Sequence, residues 1–146
     1  MEGDRPLFSI ELNEFEKPTG EYKIDLRRFA ISLGLLRSGD KRTAIVEILD
    51  ILIAERKNKP DGLNSVEITS KVYERGISIV YANILRDLRK LINLGIVENI
   101  NKRYRIRENL SLQEILDKYV KPYVIDRIYS KIKDYATAVE LENPKK

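Results

Sequence analysis

Two absences limit the chemistry that this sequence can carry, since its 146 residues contain neither histidine nor cysteine. Without histidine the chain lacks the usual general base at neutral pH and the commonest metal ligand. Without cysteine it lacks thiol nucleophiles, disulfides and thiolate metal sites. Carboxylates remain, but they are scattered among lysine and arginine, and the seven glycines occur singly rather than in a phosphate-binding loop. These residue types argue against an enzyme and predict neither a cofactor nor a metal site.

Basic side chains remain as candidate functional groups, and they are concentrated in one segment. Residues 71–107 hold nine lysines and arginines against three acidic residues, a net charge of +6, whereas the whole chain carries +4. A localised cationic segment is typical of a face that binds a polyanion such as nucleic acid. An ordinary solvated surface would also account for it.

Composition and hydropathy indicate one globular domain with appendages, because 42% of the residues are hydrophobic and 34% are charged. No apolar run approaches the roughly 18–20 residues of a membrane span. Residues 1–6 have neither the basic end nor the apolar stretch of a secretory signal. We therefore expect a cytoplasmic protein without membrane contact. The abundance of isoleucine, lysine and glutamate would suit a thermophile.

Residues 1–40 are expected to form an N-terminal arm and a short helix. Alternating apolar residues at 7–12 and 21–26, with a proline and glycine turn between them, predict either a short hairpin or an extended arm that packs on a partner. Residues 29–36 are largely apolar and predict a helix.

Residues 41–107 have the periodicity of a compact helical unit. An apolar stripe with helical spacing predicts a helix over about 41–55. Asn64 and Glu67 have the spacing of a capping box, which predicts a second helix over about 65–74.

A third helix and a hairpin complete this unit. Ser78 is expected to cap a helix that reaches about Asn93 and that Gly95 terminates. Two alternating segments follow within 96–106, and the two-residue turn Asn101-Lys102 between them predicts a tight hairpin.

The spacing Ile84-x-x-x-Leu88-x-x-Leu91-x-x-x-Gly95-Ile96-Val97, followed by Tyr104-Arg105-Ile106, resembles the recognition-helix-to-wing signature of a known superfamily. This is the winged helix-turn-helix superfamily of small archaeal and bacterial transcription regulators, including the arsenic-repressor and multiple-antibiotic-resistance-repressor types. The resemblance covers roughly residues 42–107. It implies a mainly α fold with a small β-hairpin wing, flanked by an N-terminal arm and C-terminal helices.

The function that this resemblance implies is sequence-preferring binding of double-stranded DNA by a transcription regulator. A helix in the major groove and a wing beside the phosphates would present polar side chains to the duplex. The residues expected to contact DNA are Ser78, Tyr81, Arg86, Arg89, Lys90, Lys102, Arg103 and Arg105.

An alternative function stays open, because winged helices also serve as protein-binding modules in replication, transcription or cell-division complexes. The N-terminal turn of the third helix, at residues 78–83, is more apolar than a base-reading surface usually is, which fits a protein partner. The predicted wing is short, which favours contact with the phosphate backbone over entry into the minor groove.

Residues 108–146 predict a C-terminal helical segment that begins near Ser111 and is interrupted or restarted at Pro122. The second part carries an apolar stripe that must be covered, either by its own domain or by a second copy of the chain. Related regulators dimerise through terminal helices, so we expect a homodimer. The expected dimerisation residues are Ile128, Ile132, Tyr135 and Val139.

Overall fold

The fold is mainly helical and contains one small antiparallel sheet. The computed structural model describes residues 3–15 and 17–145. Its elements are α1 (Tyr22–Ser32), α2 (Ala44–Ala54), β1 (Leu63–Asn64), α3 (Ser65–Glu74), α4 (Tyr81–Leu94), β2 (Val97–Ile100), β3 (Arg103–Ile106), α5 (Leu112–Ile115) and α6 (Asp126–Glu142). A 3₁₀ turn at Arg107–Asn109 follows β3, and a π-helical segment, Leu116–Ile125, joins α5 to α6.

Residues 1, 2, 16 and 146, which belong to the predicted N-terminal arm and C-terminal segment, lie outside the described residues. The first two also belong to the stretch examined for a secretory signal. Among the described residues, no helix is both long and apolar enough to cross a membrane.

The N-terminal region differs from the prediction. Residues 7–12 form no strand, and residues 22–26, predicted as an extended segment, lie in α1. The helix prevails over the alternating pattern because Leu26 and Ala30, one helical turn apart, are buried together in the core. Residues 3–15 and 17–26, as far as the structure describes them, contain no hairpin.

The predicted helix over 29–36 ends early, at Ser32, and Gly34 follows with a φ of +74°. Glycine permits this left-handed conformation and also a close approach of the arm. The Glu11 amide donates to the Ser32 carbonyl at 3.1 Å, and a Cβ on Gly34 would lie 1.8 Å from the Ser9 carbonyl oxygen. The arm therefore packs against the end of α1 at Ser9 and Glu11.

The predicted capping box at the start of α3 is confirmed. The Glu67 amide donates to the Asn64 side chain at 2.8 Å, and the Asn64 amide donates to the Glu67 carboxylate at 3.1 Å. Each side chain thus satisfies a backbone donor that the first helical turn leaves free. Gly95, with a φ of +96°, ends α4 as expected.

The prediction that Ser78 caps the third helix is wrong. The helix begins at Tyr81, and Ser78 lies exposed in the loop before it. Ile77 and Ile79 are half-buried against the core on either side of Ser78, and this alternation holds the loop extended.

The sheet has the strand order β1-β3-β2, with both pairs antiparallel. The predicted hairpin of β2 and β3 is confirmed, since Asn101 and Lys102 form its turn with φ values of +53° and +66°. The two-residue strand β1 was not predicted. It fits closely against β3, because a Cβ on Gly62 would lie 2.6 Å from the carbonyl oxygen of Tyr104.

The C-terminal segment stays helical through Pro122, which the prediction treated as an interruption. Ser111 and Glu114 form a capping box that begins α5, and Pro122 lies inside the π-helical segment. Proline has no N–H to donate to an α-helical hydrogen bond, and here the bonding pattern changes while the helical path continues. Ile115 and Val124 are buried in the same core as α2 and α4.

Candidate nucleic-acid interface

Helix α4 has two distinct faces. Ile84, Leu88 and Leu91 are fully buried and fix the helix in the core. The residues of the other face are exposed to solvent and mostly polar: Tyr81, Ala82, Arg86, Arg89, Lys90 and Asn93. This exposed face carries four of the eight residues predicted to contact DNA.

Two tyrosines fix the orientation of α4 relative to α3. The Tyr81 hydroxyl lies 2.5 Å from the hydroxyl of Ser65, the first residue of α3. The Tyr73 hydroxyl donates to the carbonyl of Ile79 at 2.8 Å. These hydrogen bonds join both ends of α3 to the start of α4 and the loop before it.

Several cations of the basic segment are engaged within the fold. Arg75 forms ion pairs with Glu47 and Asp50 of α2, and the Lys71 ammonium lies 3.4 Å from Glu55. Burial alone would raise the pKa of Asp50, but hydrogen bonds, including that from Arg75, outweigh burial and leave the pKa below its ordinary value. These cations hold α3 against α2.

Two arginines of the hairpin that were predicted to contact DNA form hydrogen bonds within the protein. The Arg105 guanidinium donates to Glu98 at 2.8 Å and to the Pro60 carbonyl at 3.0 Å. The Arg103 guanidinium donates to the Gly62 carbonyl at 3.1 Å. Arg105 is only half-exposed, and both arginines tie β3 to the loop before β1.

Four cations of the segment stay available to a ligand. Within residues 3–15 and 17–145, no hydrogen bond or ion pair involves the side chains of Arg86, Arg89, Lys90 or Lys102, and all four are exposed. The first three lie on α4, and Lys102 lies at the tip of the hairpin. The exposed, unpaired cations of residues 71–107 therefore lie on one helix face and one turn, whereas Arg107 is half-buried and stacks on the Tyr119 ring.

Exposed apolar side chains also occur on α3 and directly before α4. Val66 and Tyr73 of α3 are 67% and 50% exposed, and Val80, just before α4, is 62% exposed. Apolar surface of this kind contacts either the methyl groups of thymine or a protein.

The predicted dimerisation residues lie on α6. Ile128 is half-buried against the core of its own chain, whereas Ile132, Tyr135 and Val139 are 60%, 71% and 65% exposed. All of α6 is described, and none of its side chains is buried. Most of the stripe is therefore uncovered within one chain.

Sequence reasoning missed Lys41 and Arg42 as candidates for the same surface. They were assigned to the beginning of a helix, but α2 starts only at Ala44, and the two exposed residues share a cleft with Arg86 and Lys90. A basic pair directly before an apolar helix was the available signal.

No protein-family model matches this chain, and comparisons with curated proteins and with solved structures found no significant match.

Proposed function

We propose that this chain is a non-enzymatic, cytoplasmic winged helix-turn-helix protein that binds double-stranded DNA as a transcription regulator. The element order α2-β1-α3-α4-β2-β3 supports this proposal. In it α3, the loop and α4 supply the helix-turn-helix, and the hairpin of β2 and β3 supplies the wing.

The observation that carries the proposal is the set of unpaired cations on α4. Arg86, Arg89 and Lys90 project from one exposed helix face, and Lys102 extends from the wing tip. An α-helix fits the major groove, where arginine contacts guanine edges or the flanking phosphates. The wing contributes one phosphate contact through Lys102, because Arg103 and Arg105 stabilise the hairpin.

We further propose that the regulator is a homodimer that pairs through α6. Apolar residues alternate at intervals of three and four from the π-helical segment into α6: Ile125, Ile128, Ile132, Tyr135 and Val139. This is the spacing of a coiled-coil seam, and four of these five residues are β-branched. A two-fold dimer would present its two α4 helices to half-sites about 34 Å apart or a multiple of that distance.

The test is a titration of duplex DNA followed by fluorescence anisotropy across a salt series, with random DNA and with the gene's own promoter region. Replacing Arg86 and Arg89 together by alanine should weaken binding and flatten the slope of log K against log salt by about 1.8, for two lost phosphate contacts. The matched control removes the same charge from α6 through Lys131→Ala and Lys133→Ala. Equal effects of the two double variants would contradict the assignment of α4.

A second candidate function is a protein-binding module, which the exposed apolar side chains of Val66, Tyr73 and Val80 favour. Under this alternative, the chain would bind neither duplex measurably at about 50 mM salt, where electrostatic DNA binding is strong. Preference for the promoter region over random DNA would support the regulator.

A further inference from the structure

A cleft of about 1060 Å³ separates the segment before α2 from the side of α4. Leu35, Ile77 and Val80 supply apolar wall, and charged and amide side chains complete the lining. Binding sites for small molecules are commonly clefts of roughly 300–1,000 Å³ with apolar walls and a few placed polar groups. The cleft therefore has the size and the composition of a ligand site.

The carboxylate of Asp87 lines this cleft and lacks a partner. Asp87 is 7% exposed, and among the described residues no hydrogen bond or ion pair reaches its side chain. Burial raises its pKa, against the opposing influence of Lys90 and Arg86. The Asp87 oxygens are not among the fully enclosed polar atoms without a partner, so they reach the cleft, where a ligand that donates hydrogen bonds would stabilise the carboxylate.

The same cleft is lined by four cations, from two sides. Lys41 and Arg42 come from the segment before α2, and Arg86 and Lys90 come from α4. No ion pair within the described chain involves any of them. Helix α2 also begins at this cleft, and the Thr43 side chain does not cap it, so its first amide groups add a positive end.

We propose that this cleft binds a purine mononucleotide whose base carries an N–H edge, with guanine as the best match. The phosphate would lie among the cations, the planar base would pack on the apolar wall, and the Asp87 carboxylate would accept two N–H bonds from the guanine edge. The ligand would occupy Arg86 and Lys90. It would therefore compete with the duplex, a consequence that rests on the proposed DNA binding.

The test is isothermal titration of the full chain, without DNA, by guanosine monophosphate and by inosine monophosphate. The two probes differ only in the exocyclic amino group that would donate to Asp87. We expect guanosine monophosphate to bind about tenfold more tightly, because inosine monophosphate lacks one charge-assisted hydrogen bond to Asp87. Equal affinities, or no saturable binding of either nucleotide up to about 5 mM, would overturn the proposal.

Variants assign the two ends of the ligand. Asp87→Asn should abolish the preference for guanine, whereas Asp117→Asn, an exposed position on the π-helical segment, should retain it. Arg42→Ala should weaken both nucleotides equally. If Asp87→Asn does not fold, NMR of the unmodified chain takes its place. Adding each nucleotide should then shift the backbone amide signals of Asp87 and Ala44, and unchanged signals would contradict the site. Because DNA is not present, failure here is distinct from failure of DNA binding.

Discussion

The hydroxyl of Tyr22 in α1 donates a 2.6 Å hydrogen bond to the carboxylate of Asp50 in α2. The other oxygen of that carboxylate pairs with Arg75, at the end of α3. Burial, and then the hydrogen bond to Asp50, raises the pKa of Tyr22 to about 12. One carboxylate thereby joins the N-terminal helix to the helices that support the candidate interface.

Tyr22→Phe should lower the melting temperature at pH 8, because it removes the hydrogen bond while retaining the ring. Since the pKa in the folded chain exceeds the ordinary value of 10.0, neutral Tyr22 stabilises the fold fully below pH 10, and this contribution is lost as the pH rises to 12. Thermal unfolding of both proteins should therefore show a difference that shrinks over this interval. If the difference in melting temperature stays constant with pH, the contact with Asp50 is not responsible for it. Tyr123→Phe, at an exposed position, is the control at pH 8.

Arg105→Ala should reduce the free energy of unfolding by about 1–2 kcal/mol, since it removes hydrogen bonds to Glu98 and to the Pro60 carbonyl. Lys102→Gln should leave stability within about 0.5 kcal/mol and weaken DNA binding instead. Urea unfolding measures the first effect and the anisotropy titration the second. If Arg105→Ala were fully stable and defective in DNA binding, the arginine would belong to the interface after all.

Ile132→Asp together with Val139→Asp should convert a dimer into a folded monomer, because the charges would be buried in the seam. Sedimentation equilibrium at tens of micromolar measures the mass. Leu141→Asp is the matched control, because Leu141 is 73% exposed on the opposite side of α6 and its replacement should leave the dimer intact. A monomeric mass for the unmodified chain would contradict pairing through this helix.

Gly34→Ala should destabilise the chain more than Gly76→Ala. Both glycines have positive φ values, +74° and +78°, so each replacement incurs a backbone strain of roughly 1 kcal/mol. Only Gly34 would also place its Cβ against the backbone of Ser9, whereas nothing lies within 4 Å of a Cβ on Gly76. Equal losses in urea unfolding would indicate that the N-terminal arm does not pack on Gly34 in solution.

The helices and hairpin of residues 44–106 could be predicted because their signals are local. Asn64 and Glu67 specify a helix start within four residues, and Gly95 and the Asn101-Lys102 turn each specify a chain reversal through backbone conformation. The buried face of α4 follows from its spacing alone, whereas α2 is buried well beyond its predicted stripe. The exposed cations of α4 could also be predicted, because they lie outside its apolar stripe.

The remaining features depend on contacts that sequence spacing does not encode. Arg75 contributes to the net charge of the basic segment, but its partners, Glu47 and Asp50, lie 28 and 25 residues earlier in the chain, and no local pattern indicates that pairing. The pairing of Arg105 with Glu98 could have been predicted from the sequence, since a turn at residues 101–102 sets them opposite each other. Residues 22–26 alternate as a strand would, and only packing on the core makes them helical.

The uncovered state of α6 has a consequence for the dynamics of the chain. Most of the stability of a helix in a protein comes from the packing of its apolar face, and none of the 17 residues of α6 is buried. In a monomer its backbone amides would open locally at little cost and exchange rapidly with deuterium, while the amides of α4 would be protected by global stability. Association would slow exchange in α6 selectively, so its order would depend on protein concentration.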